Sequence, residues 1–205
     1  MLGYFMRYED EEFQDILRQF REGRLERGRL MVEKLATLGI HVEWERVREI
    51  AGEGSVGRPH IALAMVEKGY FKEPRGPFAE YLGRNGKAYV ERQKMTPAEG
   101  VEMLSRVGGV AVLAHPAQLE DLDDKVAELK EAGLKGMEVH YAMYSPETVL
   151  YLAEVAQRHG LIPCGGSDYH CLGNTGEALP GTLGPPMETV ERLEEAAREL
   201  SRSTR

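Results

Sequence analysis

Apolar side chains recur at helical spacing through the first half of the chain. In the longest such stretch they alternate with Arg and Glu, and Gly39 follows it as a stop signal. Thr96 and Glu99 have the spacing of a capping box, with Pro97 at the first helical position. The predicted helices cover residues 9–37, 44–51, 59–68 and 97–106, with a mixture of helix and loop over 74–92.

The pattern changes after Gly108-Gly109, where short apolar runs begin to alternate with amphipathic segments. Apolar runs that end in polar residues and lead into helices indicate buried parallel strands. The second half is therefore predicted to be α/β and part of a barrel, with a boundary near residue 107. The predicted strands cover residues 110–114, 136–141 and 161–164, and the predicted helices cover 120–132, 146–159 and about 187–201.

Composition indicates an ordinary globular protein. The 205 residues are 42% hydrophobic and 29% charged. No run approaches the ~20 apolar residues of a membrane helix, and no signal pattern opens the chain, so we expect a cytoplasmic protein that does not enter membranes. Cys164 and Cys171 are too few for a disulfide framework and are interpreted as buried or incidental thiols.

Charge is uneven along the chain, although the net value of −8 disfavours a surface that coats polyanions. Residues 58–94 contain eight basic and four acidic side chains, which could attract phosphates or form a solvated helical face. Within this segment, Arg58 and His60 lie at a predicted helix start. A guanidinium beside helix N–H groups could bind phosphate, and structural capping is the alternative.

Candidate chemistry lies where predicted strands end, as in parallel barrels. His115 directly follows the strand over 110–114 and could be a ligand or a structural residue. Asp168 and His170 would project to one side if the backbone there were extended, and carboxylate with imidazole suits Mn²⁺, Fe²⁺ or Zn²⁺. Glu138 and His140 share one strand face and could support such ligands, or could be ordinary polar residues.

Taken together, these segments resemble the later motifs of the PHP (polymerase and histidinol phosphatase) phosphoesterases. The resemblance rests on the segments 108–116, 136–139 and 166–170. The helical segments 57–62 and 86–90 resemble the insertion of a bacterial subgroup that includes 3′,5′-nucleoside bisphosphate phosphatases and 5′-to-3′ exoribonucleases. The resemblance covers essentially the whole chain.

The resemblance implies a distorted (β/α)7 barrel, of which this chain would supply the C-terminal part and a helical insertion. It implies that a complete site holds two or three divalent ions of Mn, Fe, Zn or Mg. By the same resemblance, His115, Asp168 and His170 are metal ligands, while Arg58 and His60 bind a substrate phosphate. The implied division is a residual strand at 1–8, the insertion at 9–107 and the βα units at 108–205.

The implied activity is metal-dependent hydrolysis of nucleotide phosphate esters, either 3′,5′-bisphosphates or the 5′ ends of short RNA. Stable binding of duplex DNA is not expected. Two alternatives are a non-catalytic remnant that binds nucleotides or serves a structural role, and a histidinol-phosphate phosphatase. The insertion and its basic surroundings favour the nucleotide-directed subgroup.

The chain departs from the family pattern at its start. The His-x-His motif, the next aspartate, the Thr-Asp-His motif and a bridging glutamate of the family all precede the region present, and Met1-Leu2-Gly3-Tyr4 follows directly after a further ligand histidine of the pattern. We interpret the chain as a truncated gene product, a late start codon or a fragment. We therefore expect it to be weakly active or inactive alone.

Overall fold

The computed structural model describes residues 1–91, 94–169 and 178–203. They belong to two compact units, one of Gln14–Lys94 and the other of Met1–Phe13 with Met95–Arg205. The division into segments 1–8, 9–107 and 108–205 stays a prediction. None of the described helices combines the length and the apolar character that a membrane crossing needs.

The Gln14–Lys94 unit is helical and has its own apolar core. It contains most of α1 (Glu11–Thr37), then α2 (Trp44–Ala51), α3 (Arg58–Glu67) and a π-helical turn at Phe78–Leu82. Burial of large apolar side chains, each contributing on the order of 2 kcal/mol, stabilises this unit. The fully buried core side chains include Met31, Leu35, Val47, Ile61, Met65 and Leu82.

The other unit is a four-stranded sheet with helices, in the order β1-β2-β3-β4. Strand β1 pairs antiparallel with β2, whereas β2, β3 and β4 are parallel. The predicted α/β class and the parallel strands are confirmed, and the sheet is consistent with part of a barrel. The elements are β1 (Leu2–Tyr4), α4 (Pro97–Arg106), β2 (Val110–Leu113), α5 (Leu122–Glu131), β3 (Gly136–Tyr141), α6 (Pro146–Arg158), β4 (Ile162–Gly166) and α7 (Glu188–Ser203).

The start of α4 confirms the predicted capping box. The Glu99 N–H donates to Thr96 Oγ1 at 3.2 Å, and the Thr96 N–H donates to Glu99 Oε2 at 2.7 Å. These hydrogen bonds to Thr96 lower the pKa of Glu99. The local sequence therefore determines where this helix begins.

A β-bulge distorts β3 where it pairs with β4. Glu138 lies opposite Cys164 and His140 opposite Gly165, so Val139 is skipped in the register. Gly165 makes this possible, because a Cβ added there would lie 1.9 Å from the His140 carbonyl oxygen. Beyond the bulge, the side chains of β3 point to the opposite face of the sheet from the one they would occupy in a regular strand.

Candidate metal and phosphate sites

His115 follows β2 in a left-handed conformation, with φ 52° and ψ 46°. Its backbone N–H donates to Glu138 Oε2 at 2.8 Å, and Glu138 is buried. A non-glycine residue in this region costs roughly 1–3 kcal/mol, so surrounding contacts must hold it there. The Glu138 carboxylate is one such contact, and it turns His115 out of the strand direction just before Pro116.

Asp168 follows β4 and is also left-handed, with φ 50°. Its Oδ2 lies 3.5 Å from Nε2 of His115, although the two residues are 53 positions apart. The extended backbone on which the pairing of Asp168 with His170 was predicted is not present at Asp168. His170 lies outside the described residues.

The distance between His115 Nε2 and Asp168 Oδ2 can be compared with the distances expected for a hydrogen bond and for two ligands of one metal ion. At 3.5 Å it exceeds the usual N–H···O range. Two atoms that are each about 2.1 Å from one ion, at a near-tetrahedral angle, lie about 3.4 Å apart. An imidazole nitrogen and a carboxylate oxygen at this spacing therefore fit a shared divalent ion.

Glu138 lies close to this pair: its Oε2 accepts the backbone N–H of His115 and lies 3.7 Å from His115 Nε2. Across residues 1–91, 94–169 and 178–203, no cluster of three or more His, Cys, Asp or Glu side chains is arranged to hold a metal ion. The described residues thus bring together two donor atoms, His115 Nε2 and Asp168 Oδ2, and a carboxylate that holds the backbone of His115.

Tyr141 is a member of this site that the sequence did not indicate. Its hydroxyl donates to Asp168 Oδ2 at 3.2 Å, and its ring stacks on His115 with centroids 5.4 Å apart. In a regular strand Glu138 and His140 would share a face and Tyr141 would point away. The bulge at Glu138–His140 removes that alternation, so Glu138 and Tyr141 both contact His115. The supporting role predicted for His140 stays a prediction.

Cys164 lies beneath this site, opposite Glu138, and its thiol donates to the Ile162 carbonyl. Burial raises the pKa of Cys164 to about 12, and the negative charge of Glu138 adds to the effect. The thiol is therefore protonated at neutral pH and is neither a thiolate ligand nor a nucleophile. This agrees with its interpretation as a buried thiol.

Arg58 and His60 belong to the Gln14–Lys94 unit. Arg58 Nη1 donates to the Leu82 carbonyl at 3.2 Å, and the guanidinium lies 5.7 Å from the Phe78 ring centroid. The Gly57 N–H donates to Nδ1 of His60 at 3.0 Å, which is the capping contact considered as the structural alternative. Both side chains are half-buried and held in defined positions at the start of α3.

The basic segment around them is partly neutralised by neighbouring acids. Three of its lysines form exposed ion pairs, at 2.6–2.8 Å, as a solvated helical face would. These lysines therefore contribute less to a phosphate-attracting surface than the sequence count suggests. The pairs are Lys68–Glu43, Lys87–Glu80 and Lys94–Glu91.

Known proteins resemble the chain over most of its length, although no protein-family model matches it. A 5′-3′ exoribonuclease, Rnm, from Salmonella typhimurium is 36% identical over 76% of the chain. A 3′,5′-nucleoside bisphosphate phosphatase from Chromobacterium violaceum is 32% identical over 81% of it. The chain is therefore similar to bacterial phosphoesterases, in agreement with the resemblance to the PHP type.

The fold agrees with this family. A solved structure from Bifidobacterium adolescentis, assigned as a metal-dependent phosphoesterase, superimposes on 93% of the chain with a TM-score of 0.73 and 28% identity. The chain covers 68% of that structure. It spans 55% and 60% of the length of the exoribonuclease and the bisphosphate phosphatase.

Proposed function

We propose that this PHP-type chain serves metal-dependent hydrolysis of nucleotide phosphate esters, either 3′,5′-nucleoside bisphosphates or the 5′ ends of short RNA. The observation that carries the proposal is the convergence of His115 Nε2 and Asp168 Oδ2 to 3.5 Å where β2 and β4 end. The printed activities of the two curated relatives support the nucleotide or RNA substrate class.

His115 and Asp168 are proposed to hold a divalent ion of Mn, Fe, Zn or Mg, with His170 as a third ligand. Such an ion acts as a Lewis acid toward a phosphoryl oxygen. Glu138 holds the backbone of His115 and thereby aims its ring. The carboxylate of Asp168 would supply negative charge to hold such an ion.

Arg58 and His60 are proposed to bind a phosphate group of the substrate. The Leu82 carbonyl and the Phe78 ring orient the Arg58 guanidinium, which leaves further N–H groups of its fork for phosphate oxygens. His60 uses Nδ1 in the turn of Gly57, so Nε2 is the nitrogen available to a phosphate. A guanidinium at a helix N-terminus favours a doubly charged group.

The number of metal ligands that the chain supplies determines the rate of hydrolysis that we expect from it. Catalytic sites of this kind use at least three protein ligands for each ion, and His115, Asp168 and His170 amount to three for one ion. A site that requires two or three ions needs more donors than these. We therefore expect slow turnover and weak metal affinity from the 205-residue chain.

The test is Mn²⁺-dependent phosphate release from 3′-phosphoadenosine 5′-phosphate and, separately, from histidinol phosphate by the purified chain. We expect slow release from the bisphosphate, its loss on chelation, and its loss in Asp168→Asn. Asp124→Asn, an exposed carboxylate on α5, is the matched control and should retain the rate.

Each other outcome points to a different function. Release that persists in Asp168→Asn or under chelation would contradict the proposal. Faster release from histidinol phosphate would favour a histidinol-phosphate phosphatase. Tight binding of the bisphosphate without any release would favour a non-catalytic nucleotide-binding module.

A further inference from the structure

Tyr141 contacts both proposed metal ligands at once. Its hydroxyl donates to Oδ2 of Asp168, the oxygen that lies nearest to His115 Nε2. Its ring lies against the His115 ring, with an angle of 28° between the ring planes.

Tyr141 is itself braced by the turn that follows β3. The Tyr144 N–H donates to the Tyr141 carbonyl at 3.0 Å, and the Tyr144 ring packs edge-on against Tyr141 with centroids 4.9 Å apart. Burial raises the pKa of Tyr144, whose hydroxyl oxygen is buried. The position of the Tyr141 ring is therefore set by rigid neighbours as well as by the strand.

We infer that Tyr141 is a positioning residue that holds the His115 ring and the Asp168 carboxylate facing one another. This inference rests on the proposed metal role of those two residues. A hydroxyl that donates to a carboxylate favours its charged form and restricts its rotamer, and a stacked ring restricts rotation of the imidazole. Groups behind metal ligands act in this way, and their loss weakens metal affinity about 10- to 100-fold.

Two substitutions separate the hydroxyl from the ring. Tyr141→Phe retains the ring stack and removes the hydrogen bond, so we expect Mn²⁺ affinity, measured by electron paramagnetic resonance on the purified chain, to fall about tenfold. Tyr141→Leu removes both contacts and should lower the affinity further. Tyr151→Phe is the matched control, because Tyr151 is half-exposed on α6. The Mn²⁺ affinity of this variant should equal that of the wild type.

A metal-free measurement tests the stacking independently. The nuclear magnetic resonance signals of the His115 ring protons, assigned by comparison with His115→Ala, report the Tyr141 ring current. We expect them to move in Tyr141→Leu and to change little in Tyr141→Phe. A purely structural Tyr141 would instead lower the melting temperature in both variants without changing the metal affinity of the folded protein.

The outcomes distinguish this inference from the proposed function. If the wild type binds Mn²⁺ through His115 and both Tyr141 variants bind it equally well, the inference is overturned and the proposed function survives. If the wild type binds no metal but the ring signals respond as expected, the metal role fails and the positioning contact stands. Ring signals that do not move in Tyr141→Leu would overturn the inference in either case.

Discussion

Two histidine–aspartate pairs in the same compact unit differ in the distance between their side chains and in their hydrogen bonds. His159 Nε2 lies 2.8 Å from Asp123 Oδ1, and Arg158 Nη2 donates to both oxygens of that carboxylate at 2.8 and 2.7 Å. In the other pair, His115 Nε2 and Asp168 Oδ2 are 3.5 Å apart. The first pair is a closed ion cluster between α5 and α6.

The second pair differs from the first in its backbone conformation. Both of its residues are left-handed, whereas His159, at the end of α6, has φ −92°. Strained residues that persist in a fold are held by their surroundings and are concentrated at functional sites. The comparison teaches that the same two side-chain types form a direct hydrogen bond in one place and lie beyond hydrogen-bonding distance in another, where both residues have a left-handed backbone.

The largest expected effect is a difference in Mn²⁺ affinity between variants of the two pairs. His115→Ala should lower Mn²⁺ affinity by more than about 100-fold, because losing a ligand costs more than losing its supporting partner. His159→Ala should leave the affinity unchanged, since His159 is committed to Asp123. Equilibrium dialysis of Mn²⁺ against each purified variant measures this, and equal losses in both variants would remove the distinction between the pairs.

The next effect tests whether the close approach of β3 and β4 at the bulge contributes to stability. Gly165→Ala should lower the free energy of unfolding by about 2 kcal/mol, because its Cβ would collide with the His140 carbonyl and force β3 and β4 apart. Gly166→Ala is the matched control, with no atom within 4 Å of an added Cβ. Urea unfolding of both variants gives the difference, and similar values for the two would show that the close approach of the strands is not needed.

The smallest effect concerns the closed pair and its pH dependence. A hydrogen bond from Arg158, and to a smaller extent one from His159, lowers the pKa of Asp123. Because the folded pKa is below the unfolded value of about 3.9, this stabilisation is present above that pH and is lost as the pH falls through the folded pKa.

Asp123→Asn should therefore lower the melting temperature slightly at neutral pH, and the difference from the wild type should vanish in acid. The effect is small because the carboxylate is exposed. Thermal unfolding from pH 7 to pH 2, with Asp124→Asn as the control, checks the prediction. A difference that grows toward low pH would have the wrong sign for this explanation.

Most of the fold was predictable from local patterns. The helices Trp44–Ala51 and Pro97–Arg106 and the strand Gly136–Tyr141 have the predicted bounds, because hydrophobic period, proline and capping residues act over a few positions. The antiparallel direction of β1 was not predictable in this way, since three residues carry too little pattern to fix a partner.

The candidate site was predictable in part. His115 and Asp168 stood out because each follows an apolar strand, and the ends of parallel strands meet at one edge. Tyr141 did not, because its place depends on a bulge that requires Gly165 to approach a carbonyl on another strand. Whether Arg58 and His60 bind phosphate stays a prediction, although the capping contact of His60 was one of the two alternatives considered.

The sequence by itself determined the α/β class, the extent of the elements and the strand ends where chemistry could lie, because periodicity and turn residues act locally. Only the tertiary structure decided which polar residues meet. The register of β3 against β4, the left-handed backbone at His115 and Asp168, and the position of Tyr141 all depend on contacts between distant segments. A one-residue bulge reverses the facing of a strand, and no local pattern records it.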